Sequence, residues 1–336
     1  MRIYVKEFIH KRGVFVFSDP GGAKAILALA HQVLGSQNVT SFIILSDRSY
    51  SFTEDFGLQV KHASKSTLTG ILSSFNPEYI FTGTSYTSEL ELLALHWGNK
   101  NAVRTYSFID HWTNMASRFI LKGKYLFPNE TWVVDSTAKR MALREGVRSL
   151  RIRCVGNPYH HFLKTWRPTR SRQALYSSLG VETSKQLILF APDPLTNAGG
   201  IDKFGFDEQT TLHLLLNTLK SMPIAAEFHL LIKCHPNQDR AILQKTLVHF
   251  QKKTAFSFSV LTEASIPELL YYSEVTIGMF SSILLEAAIF KKKLIVLLPG
   301  IKITDPLEHL LANTVRIKTQ EQLLISLKQA LRSLPA

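Results

Sequence analysis

The sequence predicts an α/β protein made of two Rossmann-like domains that face a cleft. Short apolar β-type runs alternate with segments of helical period along almost the whole chain, and this alternation implies parallel sheets with helices on both faces. A basic and polar stretch at 166–184, which contains Pro168, divides the alternation into two series. The 336 residues are enough for two domains of ordinary size. We therefore expect a first domain at 1–165, a linker at 166–184 and a second domain at 185–336.

The first series contains six predicted strands, each a short run rich in β-branched and aromatic residues. They lie at 13–18, 41–46, 78–84, 102–110, 130–136 and 151–158. Helices are predicted after the first, third and fifth of these strands, and they end near Leu34, Trp97 and Gly146.

The second series repeats the pattern. Its strands are predicted at 185–193, 227–236, 255–261, 274–279 and 294–298, and its helices at 207–221, 238–251, 266–273 and from Ser281 onwards. The final segment, EQLLISLKQALRSL, has the i, i+3, i+4 apolar spacing of an amphipathic helix. This last helix can pack either on the second domain or back on the first.

Composition narrows the class of protein. Hydrophobic residues make up 45% and charged residues 19% of the chain, which is typical of a globular protein. No apolar run approaches the roughly 18 to 20 residues that span a bilayer, and the apolar part of MRIYVKEFIHKRG is too short for a signal peptide. We expect a cytoplasmic protein. Cys154 and Cys234 are the only cysteines, and two isolated cysteines predict neither a disulfide framework nor a metal site.

The formal net charge of +13 suggests an anionic partner. Nucleic acid, an anionic membrane surface and a phosphorylated ligand all fit such a charge. Nucleic-acid modules usually carry a dense basic stripe, whereas the longest basic run here is Lys291–Lys293. We therefore expect no nucleic-acid partner, and we retain a phosphorylated ligand and a peripheral contact with the inner face of an anionic membrane.

Polar residues collect directly after the predicted strands, which is where ligands bind in parallel sheets. SDPGGAK follows the first strand and brings Asp19 next to Gly21 and Gly22, whose missing side chains allow a ligand to approach the backbone. A plain turn between strand and helix is the alternative. TGTSYTSE follows the third strand, and its hydroxyl groups, Thr84 included, either cap the helix or bind a ligand.

Two further polar groups close the first series. FIDHWTNMASRF (108–119) places Asp110 beside His111 in a predicted loop, a combination that suits acceptor binding or base catalysis. Asn157-Pro158 is a turn signal at the place where the chain should cross to the second domain.

In the second series, two loops suggest phosphate contacts. APDPLTNAGG follows a strand with Asp193 and two glycines, so it can contact phosphate or close over a ligand. KCHPN places His235 and Pro236 directly after an apolar strand. A histidine at that position can meet a phosphate either as a hydrogen-bond donor or as a cation.

IGMFSSILLEAA contains two serines and one glutamate in an otherwise apolar passage from strand to helix. Hydroxyl groups and free N–H groups at a helix N-terminus bind anions. Residues four apart share a helix face, so Glu286 lies below Ser282, and a carboxylate among apolar residues is costly unless it meets a polar group. The alternative is that Ser281 or Ser282 simply caps the helix while Glu286 lies on a solvated edge.

These motifs resemble those of GT-B-fold glycosyltransferases. The His235-Pro236 dipeptide of KCHPN, followed by the two serines of GMFSSILLEAA, is similar to the paired motifs of bacterial sialyltransferases, Kdo transferases and CDP-glycerol-type polymer transferases. The second half also resembles the nucleotide-binding domain of UDP-N-acetylglucosamine 2-epimerases. The resemblance implies that the histidine and the serine hydroxyls contact the phosphates of a nucleotide and that Glu286 holds the ribose.

The chain departs from these families in two places. The acidic pair followed by glycine of the sialyltransferases is absent, so the resemblance does not identify a catalytic base. The epimerase pattern of a serine, two glycines and a glutamate pair is replaced by SSILLEAA, which makes an epimerase the weaker interpretation.

We therefore expect a metal-independent glycosyltransferase that transfers a sugar from a nucleotide-sugar donor to a glycan or lipid-linked acceptor in surface polysaccharide synthesis. The nucleotide sugar is a co-substrate, and no other cofactor is expected. An inverting reaction needs a base, for which Asp19 is the first candidate and Asp110 and His111 follow. Two alternatives remain: a nucleotide-sugar epimerase or hydrolase, and a non-catalytic binding or scaffold protein.

Overall fold

Two parallel β-sheets, each flanked by helices, organise the chain in a computed structural model. One sheet lies within residues 1–165 and the other within residues 166–336, and each of these two units is compact. The predicted α/β class is confirmed. The structure describes residues 7–8, 10–35, 42–222, 227–235, 238, 240–251, 256–261 and 264–331. Among these residues, no helix combines the length and the apolar character that crossing a membrane requires.

The first unit contains a seven-stranded sheet whose paired strands are all parallel. Its strands are β1 (Gly13–Phe17), β2 (Phe42–Ser46), β3 (Lys61–His62), β4 (Tyr79–Thr82), β5 (Arg104–Ile109), β8 (Glu130–Val133) and β9 (Arg151–Cys154). Their spatial order is β3-β2-β1-β4-β5-β8-β9. A separate antiparallel hairpin pairs β6 (Ile120–Leu121) with β7 (Lys124–Tyr125).

Five helices accompany this sheet among the described residues: α1 (Pro20–Leu34), α2 (Leu68–Phe75), α3 (Leu90–Lys100), α4 (Ser136–Arg144) and α5 (Pro158–Thr165). Helix α1 begins with a proline in its first turn, where the missing N–H costs nothing. Helix α4 is capped by Asp135, whose side chain accepts a hydrogen bond from the backbone of Ala138. Helix α5 packs on α1.

The second unit contains a six-stranded parallel sheet in the order β12-β11-β10-β13-β14-β15. Its strands are β10 (Gln186–Ala191), β11 (Phe228–Lys233), β12 (Ser257–Leu261), β13 (Val275–Gly278), β14 (Lys293–Leu297) and β15 (Arg316–Ile317). Its helices are α6 (Arg172–Ser178), α7 (Gly200–Phe204), α8 (Glu208–Lys220), α9 (Arg240–Gln251), α10 (Ile266–Tyr272), α11 (Ser282–Ile289) and α12 (Gln320–Leu331). The last helix, α12, packs on α8 and β14 of its own unit.

The segment that the sequence predicts as a linker contains a helix instead. Ser171 caps α6 by accepting a hydrogen bond from the backbone of Ala174, and Leu175 and Tyr176 are buried in the second unit. Arg170 forms an ion pair with Glu268 at the start of α10. These contacts make the segment part of the second unit, whose first residue is Trp166.

Several strands end earlier than the sequence predicts. β4 ends at Thr82, β8 at Val133 and β9 at Cys154, although the runs at 78–84, 130–136 and 151–158 were each expected to be strands throughout. The residues beyond these ends are mainly glycine, proline, serine, threonine, aspartate and asparagine, which favour turns. The polar residues therefore lie in the loops that leave the sheets.

Each sheet has a topological switch point beside its first strand. In the first unit the chain proceeds from β1 towards β2 and β3, and then returns to the other side of β1 with β4. In the second unit the same reversal occurs between β10 and β13. The loops that leave the two strands at a switch point diverge, which creates a crevice at the carboxyl edge of the sheet.

Candidate functional site

Asp19 bridges the switch point of the first unit. It follows β1, and its carboxylate accepts hydrogen bonds from the backbone N–H of Tyr86 at 2.9 Å and from the hydroxyl of Thr87 at 2.5 Å, both in the loop after β4. Arg48, which follows β2, lies 3.5 Å from the same carboxylate. Asp19 thus ties three loops together.

Glycines bring the same loops into close contact. An added Cβ on Gly83 would lie 3.2 Å from the Cα of Gly22, and one on Gly22 would lie 3.4 Å from the backbone nitrogen of Thr84. A Cβ on Gly21 would lie only 2.0 Å from Oδ2 of Asp110. Gly21 therefore provides the space that Asp110 occupies. The sequence predicts that a ligand approaches the backbone at Gly21 and Gly22, whereas in the structure other residues of the first unit lie close to both glycines.

Asp110 lies at the end of β5 with one carboxylate oxygen 3.7 Å from Nη1 of Arg118. Burial raises the pKa of Asp110, and the neighbouring charge of Arg118 opposes that shift. A carboxylate whose pKa is raised is a stronger proton acceptor once it is ionised. Of the two aspartates predicted as bases, Asp110 is the one without several short hydrogen bonds.

His111 follows Asp110 but makes its contacts within its own loop. Its Nδ1 lies 3.0 Å from the hydroxyl of Thr113. Loss of solvation lowers the pKa of His111, and Asp110 partly offsets this. The imidazole is therefore neutral at pH 7.

Thr84 and Asn157 have structural contacts. The Thr84 hydroxyl is buried and accepts a hydrogen bond of 3.1 Å from Nη1 of Arg118. The Asn157 side chain accepts a hydrogen bond from the backbone of Tyr159 at the start of α5. The chain does not leave the first unit at Asn157, because α5 still belongs to that unit and the second begins at Trp166.

Glu91 is a buried carboxylate that the sequence analysis did not identify. It lies in α3, is 3% exposed, and accepts a hydrogen bond of 2.9 Å from the hydroxyl of Ser18 at the end of β1. Its Oε1 has no hydrogen-bond partner among the described residues. Burial raises the pKa of Glu91 to about 7, and the charges of Asp19 and Asp47 act in the same direction.

Asp193 bridges the switch point of the second unit. It follows β10, and its carboxylate accepts a hydrogen bond of 2.8 Å from the backbone N–H of Phe280, which follows β13. Burial raises the pKa of Asp193 to about 6. The Gly-rich loop that continues from Asp193 forms a short 3-10 turn at Thr196–Ala198 and then helix α7.

His235 follows β11, the strand next to β10 on the other side from the switch point. It is partly buried, and burial together with the charge of Lys233 lowers its pKa. A lowered pKa favours the neutral ring, which can still donate one hydrogen bond. Pro236, the second residue of this predicted motif, lies outside the described residues.

The two serines begin α11 as the sequence predicts. Ser281 is the N-cap and accepts a hydrogen bond of 3.4 Å from the backbone of Ile283, while Ser282 is the exposed first residue of the helix. Glu286, one turn later, is 2% exposed. Helix capping and anion binding are compatible here, because the cap satisfies only one of the free N–H groups in the first turn.

The structure thus groups the predicted residues into two sets, one at the carboxyl edge of each sheet. Asp19, Gly21, Gly22, Thr84 and Asp110 lie together in the first unit, whereas Asn157 does not join them. In the second unit, Asp193, His235 and Ser281 follow three neighbouring strands.

Comparisons with known proteins identify the fold. No protein family matches this sequence, and no curated protein does. A UDP-GlcNAc 2-epimerase from Methanocaldococcus jannaschii aligns over 96% of this chain and 93% of its own, with 12% identity and a TM-score of 0.66. A UDP-GlcNAc 2-epimerase from Neisseria meningitidis bound to UDP-GlcNAc aligns over 96% of this chain and 92% of its own, with 14% identity and a TM-score of 0.65. A glycosyltransferase from Rickettsia africae aligns over 96% of this chain and 88% of its own, with 13% identity and a TM-score of 0.57. At these identities the likeness shows the fold, and the expected GT-B-type fold is confirmed.

Proposed function

We propose that the protein is a nucleotide-sugar-dependent glycosyltransferase in which residues 166–336 hold the donor and residues 1–165 hold the acceptor. The observation that carries the proposal is the switch point of the second sheet. There Asp193 fixes the loop after β13 through Phe280, and the next two residues are Ser281 and Ser282, the N-cap and the first residue of α11. In open α/β sheets this crevice is where nucleotides bind.

The residues around this crevice suit a diphosphate. Free N–H groups and the dipole at the start of α11 attract negative charge. The neutral ring of His235 donates a hydrogen bond to a phosphate oxygen, and the hydroxyls of Ser281 and Ser282 donate two more. Negative charge grows on the leaving phosphate during glycosyl transfer, and fixed donors aimed at that charge lower the barrier. In this proposal Glu286, one turn further along α11, holds the ribose hydroxyls.

Asp110 is the proposed base. It accepts the proton of the acceptor hydroxyl while that oxygen attacks the sugar. Its raised pKa and the small number of its hydrogen bonds suit this role better than the three contacts of Asp19.

Nucleotide titration tests the donor site. Wild type and Glu286→Gln are titrated with UDP, GDP, CMP, CDP and dTDP by calorimetry and thermal shift. A nucleotide at 100 times its dissociation constant stabilises a protein by about 2.7 kcal/mol. We expect one nucleotide class to bind and Glu286→Gln to weaken it. Glu308→Gln, at an exposed site of the same unit, is the matched control and should bind like wild type. If none of the five nucleotides binds to the folded protein, the proposal is wrong and a scaffold function is favoured.

An epimerase is the second candidate, because the solved structures that share this fold include UDP-GlcNAc 2-epimerases. The two reactions differ in what they need. An epimerase changes the configuration of the sugar with the nucleotide sugar alone, whereas a transferase releases free nucleotide only when an acceptor is present. Proton NMR of the sugar after incubation without an acceptor separates the two: a new sugar configuration favours the epimerase, and an unchanged donor favours the transferase.

A basic surface of the first unit suits an acceptor that is anchored in an anionic membrane. Leu143 in α4 and Leu150 after it are 57% and 81% exposed. Five exposed basic residues lie in the same part of the chain, namely Lys139, Arg140, Arg144, Arg148 and Arg151. Each basic residue near an anionic bilayer contributes about 1 kcal/mol. We expect the protein to sediment with vesicles that contain phosphatidylserine but not with pure phosphatidylcholine vesicles, and Leu150→Ser to reduce the bound fraction. Equal sedimentation with both vesicle types would contradict this.

A further inference from the structure

Arg118 is a buried arginine in the first unit that no sequence motif identified. It lies in the 3-10 turn Ser117–Phe119 that follows the loop after β5. Its side chain is only 9% exposed. A buried guanidinium group carries five N–H donors and a permanent positive charge, so its environment should supply several acceptors.

The described residues supply few of them. Nη1 donates a hydrogen bond of 3.1 Å to the hydroxyl of Thr84 and lies 3.7 Å from a carboxylate oxygen of Asp110, which is beyond a direct hydrogen bond. The guanidinium group also lies over the ring of Tyr86, 4.5 Å from its centroid. This stacking holds the plane of the group but uses none of its N–H donors.

The Nε side of the guanidinium group differs from the Nη1 side. Nε is buried and has no hydrogen-bond partner among the described residues. Leaving a charged donor unsatisfied in the interior is costly, and buried polar groups without partners are rare in native proteins. Nε and Nη2 form the edge of an arginine that binds two oxygens of one carboxylate or phosphate side by side.

We propose that Arg118 is the anion receptor of the first unit and that it binds a carboxylate or phosphate group carried by the sugar acceptor. Thr84 and Tyr86 fix the guanidinium group from one edge and one face, while the Nε edge is left for the ligand. Asp110 lies on the Nη1 side, so the anion and the proposed base occupy different edges of the same arginine. This geometry selects an acidic or phosphorylated acceptor over a neutral one.

The proposal rests on the proposed function for the identity of the ligand as an acceptor, but its test does not use a nucleotide. The Arg118 Nε–H signal is followed in proton–nitrogen NMR spectra of the full chain, and it is assigned by its loss in Arg118→Lys. Glucuronate, glucose 6-phosphate and glucose are titrated in turn. These sugars share one ring and differ in carrying a carboxylate, a phosphate or no charge.

We expect a saturable shift of the Arg118 signal with glucuronate or with glucose 6-phosphate, and none with glucose. The sugar that gives the shift distinguishes a carboxylate from a phosphate ligand. Signals of the loop residues near Asp110 should follow the same titration, and for Arg118→Lys they should report affinity at least about tenfold weaker, since lysine keeps the charge but lacks the paired donors. Lys100→Gln, which removes a positive charge at the exposed end of α3, is the control and should bind like wild type.

Three results would overturn the proposal: no shift with either anionic sugar, an equal shift with glucose, or unchanged affinity in Arg118→Lys. Substitution by lysine keeps the positive charge beside Asp110, so this variant is more tolerable than a neutral one, and its fold is checked from the same spectra. If nucleotides fail to bind but the anionic sugar shifts the signal, the donor site is wrong while the anion site stands. If nucleotides bind and the sugars do not, the reverse holds.

Discussion

Glu91 has a carboxylate in the interior of the first unit that accepts a hydrogen bond from the hydroxyl of Ser18, while its Oε1 has no hydrogen-bond partner among the described residues. Replacing it by glutamine keeps the shape of the side chain and the acceptor for Ser18 but removes the ionisation. The substitution therefore isolates what ionising a buried carboxyl group does to the stability of this unit.

The magnitude follows from the pKa. Burial raises the pKa of Glu91 from 4.5 to about 7, and each pKa unit corresponds to about 1.4 kcal/mol, so the effect is about 3 kcal/mol. Between these two values the folded state keeps the proton and the unfolded state loses it. The free energy of unfolding must therefore fall as the pH rises through this window. Below 4.5 both states are protonated, and above about 7 both are ionised, so the contribution is constant outside it.

The assay is urea unfolding of wild type and Glu91→Gln at several values from about pH 4 to about pH 8. Tryptophan fluorescence mainly reports the first unit, because it contains Trp97, Trp112 and Trp132 while only Trp166 lies in the second. Groups that do not interact with Glu91 titrate alike in both proteins, so the difference in free energy of unfolding reports the ionisation of Glu91 together with its coupling to Asp19 and Asp47. We expect Glu91→Gln to gain about 3 kcal/mol relative to wild type across the window.

Glu89→Gln is the matched control. Glu89 precedes α3, is exposed and pairs with Lys65, which lowers its pKa. Its ionisation therefore occurs below the window, and this variant should show the same pH dependence as wild type between 4.5 and about 7. If the difference between wild type and Glu91→Gln stays constant with pH, the carboxyl group is not desolvated and the reasoning fails.

Two further predictions follow from the packing of each unit. Gly21→Ala places a Cβ 2.0 Å from the carboxylate of Asp110, so it should lower turnover by roughly tenfold or more by displacing the proposed base. Gly70→Ala, with nothing within 4 Å of its Cβ, should leave turnover unchanged, and equal turnover in all three proteins would refute the role of Gly21. Burial lowers the pKa of His229 from 6.5 to about 4, so the free energy of unfolding should fall by about 3 kcal/mol as the pH drops between these values. NMR titration of the ring, assigned with His229→Gln, measures this pKa directly, and a value near 6.5 would contradict the prediction.

The sequence predicts the long, buried elements well because their pattern follows from burial itself. β1, β10 and β11 are mainly apolar runs that are buried almost throughout, which is the composition of a strand covered on both faces in a parallel sheet. The short elements cannot be predicted from such a pattern. β3 and β15 have two residues each and α6 has seven, so they contain too few periodic positions to differ from a loop.

The residues of the candidate site likewise differ in how far a local sequence pattern identifies them. Asp110 stood out because an acid, an imidazole and an indole are adjacent in one loop. Arg118 comes eight residues later, after a turn, and its contact with Thr84 depends on how two loops pack, so no local pattern identifies it. Glu91 could have been found. It interrupts the apolar run LELLALHW just as Glu286 interrupts ILLEAAI, and both are buried.

The two units also use the same device at their switch points. Asp19-Pro20 follows β1 by two residues, and Asp193-Pro194 follows β10 by two residues. In each unit the aspartate accepts a backbone N–H from the loop after the strand on the far side of the switch point, at 2.9 Å for Asp19 and 2.8 Å for Asp193. A hydrogen bond to a carboxylate is about twice as strong as one between neutral groups, so it suits the place where two diverging loops must be held.

This repetition bears on the choice of base. Asp19 and Asp193 occupy the same position in their units, although the ligands proposed for the two units differ. What the units share is the fold, so the fold explains this aspartate. The chemistry must then depend on what they do not share. Asp110 and Arg118 lie at the end of β5 and in the turn after it, whereas β14, the strand at the corresponding place in the second sheet, leads into Leu298, Pro299 and Gly300. The aspartate–arginine pair of that region, Asp305 with Arg316, joins a later part of the loop to β15. The pair that distinguishes the first unit is therefore the better place to look for catalysis and for the selection of the acceptor.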